Sequence, residues 1–153
     1  MHTDHKQDKL AEAMADLTCE LARTCNEKEN YFASLFNLTP AEFKCLKLFS
    51  KTNSITIKTI SVLMKLTPGR ITHILTSLEK KKFIKRKTDH YDKRNVIVSL
   101  TSNSEPFLKN LNCSHIKLHQ EILENISAEK REEIIYAMQQ VVDALRTWSA
   151  KIE

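Results

Sequence analysis

Residues 55–101 carry 11 Lys and Arg against three carboxylates, Glu79, Asp89 and Asp92, whereas residues 1–54 and 102–153 are each slightly acidic. Charge concentrated in this way is either a solvated face or a surface for a polyanion, and the pattern of elements beneath it decides which. Inside the stretch, Thr67 followed by Pro68 reads as a helix start, and the backbone amides after the proline offer an anion site reinforced by the helix dipole. If Ile71, Ile74, Leu75 and Leu78 form the inward stripe of that helix, its outward face is Gly69, His73, Thr76 and Lys80, flanked by Arg70, Thr72 and Ser77.

Other residue types capable of chemistry are less well arranged. His115 and His119 stand four apart on one helical face, a spacing that binds zinc given further ligands, but no completing set is evident and the commoner role is a solvated or core histidine. Cys19 and Cys25 are separated by a rise of about 9 Å on one helix, too far for a disulfide between them. Cys25 lies on the apolar seam of that helix and reads as a small buried hydrophobe; Cys19 faces the other way and would be a sensor thiol only beside a cation. The four cysteines form no C-x-x-C pair, so reduced thiols are expected. Ile116 follows His115 and rules out H-E-x-x-H, no G-x-S-x-G occurs, and a single Gly excludes every Gly-rich nucleotide cradle. No enzyme and no cofactor is called for.

The elements that must position these residues are helical. One Gly and three Pro in 153 residues argue against a sandwich or barrel built from many tight turns. Leu10, Met14, Leu17 and Leu21 step as the seam of an amphipathic helix from about Asp8 to about Glu29. Thr39, Pro40 and Glu42 form a capping box, with Leu38 and Phe43 as its hydrophobic staple, opening a second helix that runs to about Ser50. A polar connection over 51–54 precedes a short helix from Thr56 carrying Ile60, Leu63 and Met64, and the helix after Thr67 completes a helix-turn-helix. Beyond Lys82 the period becomes alternating, predicting a two-stranded hairpin whose connection, Asp89 to Asn95, is long and mobile. A long helix over 104–125 and a last one capped by Ser127, with the seam Ile134, Met138, Val141, Leu145 and Trp148, close the chain. No apolar run approaches a membrane span and no signal-peptide core is present, so a cytoplasmic protein without membrane contact is expected.

Two stretches carry a family resemblance. Leu66-Thr67-Pro68-Gly69-Arg70-Ile71-Thr72-His73-Ile74-Leu75-Thr76-Ser77-Leu78-Glu79 resembles the recognition helix of the MarR family of winged-helix transcription regulators, and Asp89-x-x-Asp92-Lys93-Arg94 with Val96-x-Val98-x-Leu100-Thr101 resembles its wing. The resemblance implies a mainly α fold with a small β-wing: a winged helix-turn-helix DNA-binding domain over 38–101, with 1–37 and 102–153 as dimerisation helices. It implies a homodimeric repressor on a palindromic double-stranded operator, released by a small-molecule effector or a stress signal. Arg70, Thr72 and His73 are the candidates for base edges, with a phosphate contact or plain solvent the alternative for each. Thr67 and Gly69 suit a phosphate, with Thr76 and Lys80 further along the same face. Arg94 would enter the minor groove, Lys93 with Lys85 and Lys87 would attract phosphate, and Asp92 would orient Arg94 or brace the wing. Tyr31, Phe32, Phe36 and Phe43 are candidates to line an effector crevice, although aromatic residues are more often core. Where the family commonly has Gly, this chain has Lys65, Lys82 and Ser104. The rival readings are a winged helix that binds protein and a nonspecific architectural DNA binder.

Overall fold

The chain was analysed as a computed structural model, which describes residues 2–152 and, for residues 2–4, the backbone alone. Helix α1, His2–Leu35, extends beyond the seam read from sequence at both ends. The extensions contain neither Gly nor Pro to break it, and an unbroken backbone ladder gains one bond for each residue added. At Thr39 the capping box forms as expected: the Glu42 amide donates to Thr39 Oγ1 at 3.2 Å and the Thr39 amide to Glu42 Oε2 at 2.8 Å. Leu38 and Phe43, the staple, are both buried. Helix α2 is Pro40–Lys47, and a 3-10 turn, Leu48–Lys51, completes what the sequence suggested as one longer helix.

Ser54–Thr56, expected as connection and helix start, forms a strand, β1. It pairs antiparallel with β3, Val96–Leu100, which pairs antiparallel with β2, Ile84–Thr88, so the sheet is three-stranded in the order β1-β3-β2 and not a two-stranded hairpin. Three residues show no period that sequence reading can detect. Only the facing backbone of β3, in the register Ile55 to Val98, makes them a strand.

Helix α3, Ile57–Met64, is capped by Thr56, and helix α4, Pro68–Lys80, follows after a short turn. Ile60 of α3 and Ile71, Ile74, Leu75 and Leu78 of α4 are buried together with Phe43, Leu46, Phe49, Ile84 and Val98. A second aromatic group centres on Phe107, whose ring stands edge-on to those of Phe36, Phe43 and Phe83 at centroid distances of 4.6, 6.1 and 5.7 Å.

The chain divides into two units, one up to Lys109 and one from Asn110 onward, with helix α5, Ser104–Glu124, crossing the division. In the second unit a 3-10 turn, Ala128–Lys130, leads into helix α6, Arg131–Ser149. Ser127 does not cap it with its side chain, contrary to the sequence expectation, because the helix proper begins only after that turn. Arg131 Nε instead donates to the Ile126 carbonyl at 3.1 Å. Among the described residues no helix is long and apolar enough to cross a membrane.

Candidate nucleic-acid interface

Burial along α4 divides its residues as the apolar stripe requires. With Ile71, Ile74, Leu75 and Leu78 inside, Gly69, Arg70, Thr72, His73, Thr76 and Lys80 are all exposed, as is Thr67 before them. The Thr67 hydroxyl makes no cap bond, unlike Thr39 and Thr56, whose hydroxyls both accept a helix amide. Thr72 does not present a free hydroxyl, since it donates to the Pro68 carbonyl at 2.9 Å.

Arg70 and His73 face more than open solvent. Together with Lys44 of α2 and the apolar Met64, Leu66 and Ile74 they line a cleft of about 540 Å³ between the start of α2 and α4. Lys44 carries no sequence signal for this position. It lies on a different helix, 26 residues before Arg70, and no local spacing links the two.

Gly69 has ordinary negative-φ backbone, and a Cβ added to it would meet nothing within 4 Å. The fold therefore does not require glycine there. The left-handed backbone falls on other residues: Asn37 at φ 54°, Lys65 at 52° and Lys82 at 64°.

The wing tip is stitched by its own carboxylates. Asp89 accepts from the Tyr91 amide at 2.9 Å; Asp92 accepts from the Arg94 amide at 3.0 Å and from Asn95 Nδ2 at 3.3 Å. The Asp89 amide also donates to the Asn95 carbonyl at 2.9 Å, so the connection expected to be loose is a hydrogen-bonded turn. Asp92 thus holds the backbone of Arg94, whose exposed side chain pairs with no carboxylate among the described residues. Lys93 is likewise exposed.

Two ion pairs attach the last turn of α4 to its surroundings, and neither has a sequence signal. Glu79 takes Arg86 of β2 through Nη2 at 2.6 Å, Nε at 3.0 Å and the backbone amide at 3.0 Å, and these bonds hold its carboxyl below the usual carboxylate value. Lys81, just past the helix, donates to Glu42 at 2.7 Å and to the Asn37 carbonyl at 2.8 Å. Glu42 is only 2% exposed. Burial pushes its carboxyl up, but hydrogen bonds from Lys81, Ser77 and the Thr39 amide, with the charge of Lys81, outweigh that and hold it low.

Residues 38–96 match the model of the MarR family. Over these residues the chain is similar to the MarR family. An HTH-type transcriptional regulator of Bacillus cereus is 27% identical over 113 residues, covering 74% of this chain and 75% of its own. The reduced form of MarR from E. coli is 26% identical with a TM-score of 0.65, covering 80% of this chain and 93% of its own. FabT from Streptococcus pneumoniae, solved in complex with DNA, shares the fold at a TM-score of 0.74 and 19% identity, covering 93% of this chain and 98% of its own. Lys65 and Lys82 keep the left-handed turns for which the family commonly uses Gly, and Ser104, the third such position, is fully buried with its hydroxyl donating to the Phe83 carbonyl.

The remaining sequence candidates are dispersed. Phe32 and Phe43 are core residues, Phe36 packs on Phe107, and Tyr31 is 61% exposed beside Phe32. Cys19 and Cys25 are both exposed. For Cys25 this corrects the expectation of a buried hydrophobe, because the α1 seam on which it lies is itself uncovered: Leu10, Met14, Leu17 and Leu21 are all exposed. Cys45 is the buried thiol, pushed up to about 12 by burial and by Glu42, and so is protonated at neutral pH. His119 Nδ1 donates to the His115 carbonyl at 2.6 Å, and the two rings lie 4.5 Å apart. No group of three His, Cys, Asp or Glu placed to hold a metal occurs among the described residues.

Proposed function

We propose that this chain is a DNA-binding transcription regulator of the MarR type, a homodimeric repressor that occupies a palindromic operator, with one α4 in the major groove of each half-site and a wing on each flank. The observation that carries the reading is the division of α4. Every apolar side chain of its stripe is buried, while Gly69, Arg70, Thr72, His73, Thr76 and Lys80 all face outward from a segment in which 11 Lys and Arg stand against three carboxylates.

In this reading Arg70 and His73 reach base edges from the rim of their cleft, and Thr72 offers its methyl group, its hydroxyl being held by Pro68. Thr67 and the amides at Gly69 and Arg70 take a backbone phosphate at the helix start. Arg94 enters the minor groove from the turn that Asp92 braces, and Lys80 and Lys93 contribute phosphate attraction. Residues 38–101 form the DNA-binding domain and 1–37 and 102–153 the dimerisation helices. The exposed seams Leu10, Met14, Leu17 and Leu21 of α1 and Met138, Leu145 and Trp148 of α6 support this, since a second copy would cover apolar surface that otherwise faces water. Release by a small molecule bound near Tyr31, Phe32, Phe36 and Phe43, or by a stress signal read at Cys19 or Cys25, rests on the family resemblance.

Gel shifts on DNA from the region upstream of the coding sequence and on random DNA of equal length, with sedimentation of the free protein, test the proposal. Selective retention by a dimer supports it. Equal weak retention would make the protein an architectural binder, and no retention would make its winged helix a protein-binding module. Arg94→Ala is expected to weaken selective binding by about 1–3 kcal/mol with unchanged thermal stability. Tight binding by that variant at physiological salt would remove the wing from the interface.

A further inference from the structure

The cationic segment 55–101 contains three carboxylates, and each costs attraction to a polyanion. All three hold a backbone amide of the wing: Asp89 that of Tyr91 at 2.9 Å, Asp92 that of Arg94 at 3.0 Å, and Glu79 that of Arg86 at 3.0 Å. The first two shape the wing turn from within. Glu79 alone reaches the wing from outside, from the last turn of α4, and its second oxygen takes the Arg86 guanidinium through two bonds at 2.6 and 3.0 Å.

This arrangement constrains more than a side-chain pair. The bond to the Arg86 amide fixes the strand itself, and Arg86 sits opposite Val98 in the β2-β3 register. Both guanidinium bonds converge on Oε2 while Oε1 takes the strand amide, so the two oxygens of one carboxylate hold the side chain and the backbone of Arg86 at once. With Glu79 and Arg86 joined, the exposed face of α4 and the tip carrying Arg94 approach a duplex as one body. Without the link, the wing must be ordered at the moment of binding, and that cost falls only on complexes that use both elements.

We propose that Glu79 is a specificity-determining positioning residue, which through Arg86 sets the spacing between the recognition helix and the wing so that both engage one DNA site. The proposal rests on the DNA reading given above. Its consequences have a sign that charge alone cannot produce. Glu79→Gln removes a negative charge from a cationic surface, so electrostatic attraction by itself would tighten binding to every duplex. Arg86→Lys keeps the net charge and loses the fork.

The test uses the full-length protein and a duplex of about 30 base pairs, long enough for two half-sites a helical turn apart. The sequence is selected by the wild type from a random library, and a scrambled duplex of the same composition is the reference. Glu79→Gln is expected to bind the scrambled duplex at least as tightly as wild type and the selected one about tenfold more weakly, so the ratio of the two affinities falls. Arg86→Lys is expected to lower the ratio in the same direction. A merely destabilising substitution would reduce the active fraction and scale both affinities alike, leaving the ratio unchanged. A wild-type ratio in both variants would overturn the proposal while leaving the DNA reading intact. Failure of the wild type to select any sequence would overturn the DNA reading and this proposal with it.

Discussion

Gly69 is the only glycine in the chain, and the structure gives it no internal role. Its φ is not positive, it is the second residue of α4, and a Cβ would project into open space. Gly69→Ala should therefore stabilise the protein. Alanine in place of glycine favours a helix by roughly 0.5–1 kcal/mol in the interior, and about 0.5 kcal/mol is a reasonable share for the first turn. In a chain of this size that corresponds to an increase in Tm of about 1–2 °C. DNA binding should move the opposite way if the amides at the start of α4 approach a phosphate. A methyl group there would displace a charge-assisted hydrogen bond, at a cost of about 1.5–3 kcal/mol, or about ten- to a hundredfold in Kd. Calorimetry and fluorescence anisotropy on the selected duplex, run on the same preparation, read both quantities. A raised Tm with unchanged Kd would show that the glycine is not a DNA contact. A lowered Tm would refute the structural premise that the position is open.

Two further perturbations follow from the same geometry. The Glu42 carboxyl is held below the ordinary 4.5, so its contribution to stability is complete above that value and is lost as pH falls through the lower folded value. Wild-type Tm is expected to decline as the solution is acidified below 4.5, and Glu42→Gln to reduce stability at neutral pH by about 1–3 kcal/mol, lowering Tm there, while flattening that decline; an equally steep acid limb in the variant would place the titrating group elsewhere. Lys82 occupies left-handed backbone at φ 64°, which costs an L-residue about 1 kcal/mol that glycine avoids. Lys82→Gly should raise Tm by about 2–4 °C, and a fall would mean that the lysine stem contributes more packing than the backbone costs.

Much of the DNA-reading unit is legible in the chain because its signals are local. A capping box needs residues three apart, the α4 stripe needs a helical period, and the strands of the wing need alternation; each forms here as read. The net charge of residues 55–101 is likewise a property of composition. A local pattern misleads where the surroundings decide the outcome. Cys25 follows the α1 seam but is exposed with it, and Ser127 has a capping residue's identity but precedes a 3-10 turn.

The amino-acid sequence by itself determined which residues form each helix face, where the cations concentrate and which family the pattern resembles, because these depend on neighbours within a few positions. Tertiary structure alone decided that Ser54–Thr56 is a strand, that Lys81 reaches Glu42 across 39 positions, and that Glu79 holds Arg86 by backbone and side chain together. It also decided that the left-handed turns fall on Lys65 and Lys82 while the lone Gly69 remains ordinary helix. A contact between distant segments depends on how elements pack, and a positive φ depends on the path the packed chain must take; neither is a property of any short run of residues.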